Sequence, residues 1–140
     1  EITERDWSSD VCSSDLISNL TTDQMRNDKE NVIVEKSFQF ALEIVLYCEI
    51  LEENKKYVVS RQLLRAGTSI GANVREAQNA ESKIDFIHKL KIAAKEADET
   101  EYWLLICKHT PTYPFEEKLL THVRELMKIL SKIISSSKGS

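Results

Sequence analysis

Few residues in this 140-residue chain have types and spacings that suit chemistry. Glu96, Glu99 and Glu101 are three carboxylates in close succession, the raw material of general acid–base catalysis. At helical spacing they fall on different faces of one helix, so they do not form a pair. A Glu-x-x-His repeat on two helices, which a di-iron bundle needs, is missing. His88, His109 and His122 are scattered without a partner pattern and read as solvated or structural histidines. Ser69 lacks the Gly-x-Ser-x-Gly context of a strained nucleophile. Gly67-Thr68-Ser69-Ile70-Gly71 has the glycines of a phosphate loop, but no Lys-Ser/Thr follows Gly71. Cys48 and Cys107 stand alone on apolar stripes, with no Cys-x-x-Cys, which suits core packing in a reducing cytoplasm. These observations point away from an enzyme, a cofactor and a metal site.

The remaining candidates are cations. Arg61 and Arg65 are four residues apart on one helical face, and so are Lys91 and Lys95, with His88 one turn earlier. Such rows contact phosphates sequence-independently. The alternative is a solvated face of Glu/Lys pairs, since Glu96 and Asp98 are close. Aromatic residues are not interleaved with the basic ones, so base stacking has no support.

Helices must position these cations, because only three glycines and two prolines leave little room for turns. A first helix is expected from about residue 31 to 53. It carries two apolar stripes, one of Val34, Phe38, Ala41, Val45 and Cys48, the other of Ile33, Ser37, Phe40, Ile44, Tyr47 and Leu51. One stripe suffices for a bundle core; the other either faces a neighbouring subunit or is tucked into a monomer. The second helix begins near 58–60 and has the seam Leu63, Gly67, Ile70, Val74 and Ala77. Each interior glycine costs about 1 kcal/mol relative to alanine. Gly67, Ser69, Gly71 and Ala72 therefore read as a small-residue patch for close approach of another helix. Ser82 is the expected N-cap of a third helix, with Asp85 at its third position. Its expected core set is Ile84, Ile87, Leu90, Ala94, Ala97, Glu101 and Leu104, beside a second stripe of Phe86, Ala93, Thr100, Trp103 and Cys107. Asn73 and Glu101 fall on the seams and are expected to bond across the bundle. Pro111 and Pro114 separate a last helix, from about 115 to 134, whose apolar set is Leu119, Val123, Leu126, Leu130 and Ile133.

Three ordered motifs carry a resemblance: Arg65-Ala66-Gly67-Thr68-Ser69-Ile70-Gly71-Ala72-Asn73, then Asp85-Phe86-Ile87-His88-Lys89-Leu90, then Lys95-Glu96-Ala97 leading to Glu99-Thr100-Glu101-Tyr102-Trp103. Over about residues 25 to 135 the chain resembles the bacterial four-helix-bundle family first known from proteins encoded in intervening sequences of 23S ribosomal RNA genes. It is also similar to the accessory variability protein of diversity-generating retroelements. The resemblance implies an all-α, up-down four-helix bundle, a ring-like homopentamer and no known catalysis. It implies an accessory that binds RNA or DNA or a nucleic-acid-processing enzyme. The competing class is an oligomeric protein–protein scaffold that binds no nucleic acid.

Length and composition agree with one soluble helical domain, spanning residues 25–135, with a flexible tail at 136–140. Hydrophobic residues make up 41% and charged residues 30%, and no apolar run reaches the ~18 residues that cross a bilayer. Residues 1–24 are read as a non-native or disordered leader. Within it, Asp6-Trp7-Ser8-Ser9-Asp10-Val11-Cys12-Ser13-Ser14-Asp15-Leu16 looks like translated sequencing adapter. Residues 1–16 hold five acidic residues and Arg5, so the whole-chain net charge of −4 falls to zero without them and to +1 from Met25. A neutral body neither supports nor excludes a nucleic-acid partner. Deleting residues 1–24 is expected to leave the thermal midpoint unchanged, measured by circular dichroism. A large drop would mean that the leader packs.

Overall fold

The computed structural model describes residues 28–139. The expectations for residues 1–27 lie outside the described residues. Helix α1 spans Asp28–Glu53, α2 Tyr57–Ala77, α3 Lys83–His109 and α4 Glu117–Lys138. Each helix packs on its neighbour in sequence, and α4 returns to α1, which closes an antiparallel four-helix bundle. Among the described residues there is no strand.

Local chemistry sets the helix ends. Lys55 takes a positive φ of 64° after α1, where an L-residue pays about 1–2 kcal/mol. Its N–H donates to the Glu52 carbonyl at 2.9 Å, and the Lys56 N–H donates to that of Leu51 at 2.8 Å. This pair of bonds satisfies the carbonyls at the end of α1 and turns the chain sharply. Ser82 caps α3 as expected: its hydroxyl accepts from the Asp85 N–H at 3.0 Å. The turn with Pro111 and Pro114 folds over the same end of the bundle as Lys55. There the Tyr47 hydroxyl donates to the Pro114 carbonyl at 2.6 Å, and the Tyr47 ring meets Phe115 edge-on. Helix α4 continues to Lys138, four residues past its expected end at 134.

The seams of α2 and α4 are buried as expected: Leu63, Gly67, Ile70, Val74 and Ala77 on one, Leu119, Val123, Leu126, Leu130 and Ile133 on the other. In α1 the core stripe is Ile33, Ser37, Phe40, Ile44, Tyr47 and Leu51. Of the other stripe only Cys48 is buried; Val34, Phe38 and Ala41 are half-buried and Val45 is exposed. Helix α3 departs from expectation. Its buried line is Leu90, Ala93, Ala97, Thr100, Leu104 and Cys107, drawn from both expected stripes, while Ile84 is 81% exposed. Packing between α2 and α4 selects a line between two nearly equal stripes, and the first turn of α3 lies beyond the core.

The two interior glycines of α2 bring it close to α1. A Cβ built on Gly67 would stand 2.9 Å from both Cγ1 and Cγ2 of Ile44; one on Gly71 would stand 3.3 Å from the Ser37 carbonyl oxygen. Towards the turn, the Ser60 hydroxyl donates to the Cys48 carbonyl at 3.2 Å, and the Cys48 thiol donates to the Ser60 carbonyl at 3.4 Å. Gly67→Ala should therefore destabilise by about 1–3 kcal/mol, against the up to ~1 kcal/mol that alanine gains in an open helix. In an Ile44→Ala background the cost should shrink, because both γ carbons are gone and only the Cβ, at 3.3 Å, remains. Denaturant melts of the four chains measure this; an additive cycle would show that the two positions do not press on each other.

Candidate nucleic-acid interface

Arg65 reaches from α2 to α3: Nη1 donates to Glu96 Oε1 at 3.2 Å and Nη2 to Glu99 Oε2 at 2.5 Å. The same Glu99 oxygen accepts from the Trp103 indole Nε1 at 3.1 Å, and Tyr102 meets the Trp103 ring edge-on at 5.7 Å. Hydrogen bonds from Arg65 first, then Trp103, hold the Glu99 carboxyl below its ordinary range, and the same contact raises the guanidinium. Arg65 is thus a clasp between helices, its charge balanced by two carboxylates.

Arg61, Lys91 and Lys95 are exposed and form no ion pair among the described residues. Lys138, near the end of α4, lowers the Lys91 pKa, through a side-chain hydrogen bond first and its like charge second. Lys128 and Lys132, four residues apart on α4, are likewise exposed and unpaired among the described residues. Charge along the α3–α4 seam is therefore uneven. Toward the Pro111–Pro114 turn it is compensated: Arg124 Nε donates to Glu101 at 2.7 Å, and Lys108 pairs with Glu117 at 3.2 Å. Toward the other end Lys138 of α4 comes to Lys91 of α3. The α4 lysines escape sequence reading because only the antiparallel pairing of α3 and α4 brings Lys138 to Lys91.

The polar packing residues behave differently from one another. Glu101 does bond across helices, but at the half-exposed rim. Asn73 does not bond across the bundle: its amide donates to the Ser69 carbonyl at 2.9 Å, one turn back in α2. Ser69, Gly71 and Trp103 are half-buried, and Gly67 is buried.

Nothing in the interior suits chemistry. Every buried side-chain nitrogen and oxygen among the described residues has a partner, so none waits on a ligand. Burial pushes the Cys48 thiol up to about 11 and raises Cys107 and Tyr47, which suppresses the reactive thiolates at neutral pH. Among the described residues no group of three His, Cys, Asp or Glu could hold a metal ion. An opening of about 450 Å3 between α1 and α4 is lined by Phe40, Leu126, Glu43 and His122, among others. Two of its polar walls close on each other, with His122 Nδ1 2.7 Å from Glu43 Oε1. No helix among the described residues is long and apolar enough to cross a membrane.

A family model described as 23S rRNA-intervening sequence protein matches residues 29–135. Among solved structures, the chain is similar to a protein of unknown function from the S23 ribosomal protein family of Bacteroides thetaiotaomicron VPI-5482. The two are 49% identical with a TM-score of 0.72, and the match covers 76% of this chain and 98% of that one. No curated protein matches the chain.

The Arg65–Glu99 contact makes stability pH-dependent. Because the folded carboxyl is depressed, its contribution is present above the unfolded carboxylate range and is lost as pH falls through the depressed value. Both partners are at least a third exposed, so Glu99→Gln should cost only about 0.2–1 kcal/mol at neutral pH. The melting temperatures of parent and variant should converge in acid, and Trp103 emission should shift over the same pH range in the parent alone. A constant gap at every pH would refute the clasp.

Proposed function

The chain belongs to the family of 23S rRNA-intervening sequence proteins, and from that membership we propose that it is a non-enzymatic, self-associating accessory that binds nucleic acid or a nucleic-acid-processing partner. The observation that carries the reading is that two helices packed on each other each present exposed lysines with no ion-pair partner among the described residues: Lys91 and Lys95 on α3, Lys128 and Lys132 on α4, with Lys138 of α4 reaching Lys91. Like charges held together are unfavourable without a counter-anion, and a polyphosphate backbone supplies anions in a row.

Binding of this kind positions and does not read sequence, since phosphates carry no sequence information directly. It falls steeply with salt and gains from repetition. The family resemblance implies a ring of five subunits, which would present five copies of these lysines and add weak contacts by avidity. Arg65 serves the clasp to α3, and Arg61 stands exposed one turn before it on α2; the phosphate surface is assigned to the lysines. A scaffold that binds only protein is the alternative, and it is favoured by the exposed apolar side chains of α1, α2 and α3.

Fluorescence anisotropy on labelled RNA and DNA separates the two. Binding should be sequence-independent. Lys91→Glu with Lys95→Glu should weaken it uniformly and reduce the log–log salt slope by about 2, with the assembly mass unchanged. Absence of binding at low salt would remove the nucleic-acid reading and leave the scaffold.

A further inference from the structure

Resting on the nucleic-acid reading just proposed, we infer that the strand bound is single, DNA or RNA, with its phosphates on Lys91 and Lys95 and a base stacked on Tyr102. The solvent side of α3 is one continuous ridge. Between the first and last turns of that helix the exposed residues are His88, Lys91, Lys95, Asp98 and Tyr102. Spacings of three, four, three and four keep all five within about a quarter of the helix circumference. In sequence Tyr102 stands well past Lys95; the helix brings it onto the same stripe. At 1.5 Å per residue, Lys95 follows Lys91 by about 6 Å and Tyr102 follows Lys95 by about 10 Å.

The ridge has two chemistries. At one end the two lysines, joined at Lys91 by Lys138 of α4, present positive charge. At the other stands Tyr102, 60% exposed, more than any other tyrosine, tryptophan or phenylalanine among the described residues. Asp98 lies between them, exposed and without an ion pair among the described residues. A single exposed ring is ordinary on a protein surface. This one is braced. Tyr102 meets the Trp103 ring edge-on with centroids 5.7 Å apart, the Trp103 indole donates to Glu99 at 3.1 Å, and Arg65 donates to that same carboxylate. The clasp between α2 and α3 thus holds the indole against which Tyr102 leans, so less side-chain freedom is lost when a base stacks on it.

The two halves suit one form of nucleic acid. In a duplex the base faces are stacked inside, and phosphates run at one charge per about 1.7 Å of axis. Laid along α3, a duplex would press that charge on Asp98 and offer Tyr102 no base face. A single strand turns its backbone to the lysines and its bases to Tyr102, where stacking tolerates any base. Asp98 repels phosphate there and accepts from a base amino group, which keeps the backbone off the ring.

Fluorescence anisotropy on the full chain tests this, with one labelled oligonucleotide sequence as single-stranded DNA, single-stranded RNA and duplex DNA. The parent should bind both single strands more tightly than the duplex, and the two alike, because neither contact needs the 2′-hydroxyl. Tyr102→Ala should weaken single-strand binding roughly 5- to 150-fold, the equivalent of one stacked base. The salt slope should stay the same, because stacking releases no counterion, and duplex binding should change little. Tyr102→Phe keeps the ring and should retain the parental affinity. Circular dichroism should show the same helix content and melting in both variants, as the position is exposed. Single-strand affinity that survives Tyr102→Ala, or falls equally on the duplex, overturns the stacking and leaves the lysine surface standing. A parent that prefers the duplex, or strictly requires the 2′-hydroxyl, overturns the single-strand assignment. A parent that binds no nucleic acid at low salt overturns the reading on which this inference rests.

Discussion

The bundle depends on two helices that lie closer than side chains ordinarily allow. At Gly67 the space a Cβ would occupy is taken by the γ carbons of Ile44, and at Gly71 it borders the backbone of Ser37. Interior packing is near crystal density, so there is little slack to absorb even a methyl group. The glycines weaken α2 as an isolated helix and strengthen it as a partner of α1. This contact sets the register of the pair, and the reciprocal bonds between Ser60 and Cys48 agree with it one step nearer the turn. With α1 and α2 so fixed, the α2 seam of Leu63, Ile70 and Val74 faces inward, and α3 and α4 complete the core.

The polar surface is organised by the same antiparallel order. Arg65 joins α2 to α3, Arg124 and Lys108 join α3 to α4, and Lys36 lies 3.9 Å from Glu125 between α1 and α4. Each exposed pair is worth little by itself. Their arrangement matters for what it leaves over: exposed lysines on α3 and α4, which counting charges along the sequence cannot single out, because the count discards position.

Two sequence expectations, the α3 core line and the Asn73 contact, failed. Helix α3 offers two apolar stripes of similar strength, and periodicity gives no ground for choosing between them; packing on α2 and α4 chose a line that takes Leu90 and Ala97 from one and Ala93 and Thr100 from the other. Asn73 looked like a polar bolt across the bundle because it sits near a seam, but its amide reaches the Ser69 carbonyl within its own helix first. Arg65, a candidate phosphate contact by its spacing to Arg61, also takes partners across the bundle. Its partners, Glu96 and Glu99, are more than thirty residues away, so no local window contains them.

The sequence by itself determined the all-α class, the four helices and their approximate limits, the seams of α2 and α4, and the need for close approach at Gly67 and Gly71. Each of these is local: it follows from propensity, capping, proline placement or the 3.6-residue period, all legible within about twenty residues. Tertiary structure alone decided which α1 stripe is the core, where the α3 line runs, that Arg65 is a clasp, and that Lys138 joins Lys91. These depend on contacts between residues far apart in the chain, whose pairing is set by packing geometry and not by any spacing written along it.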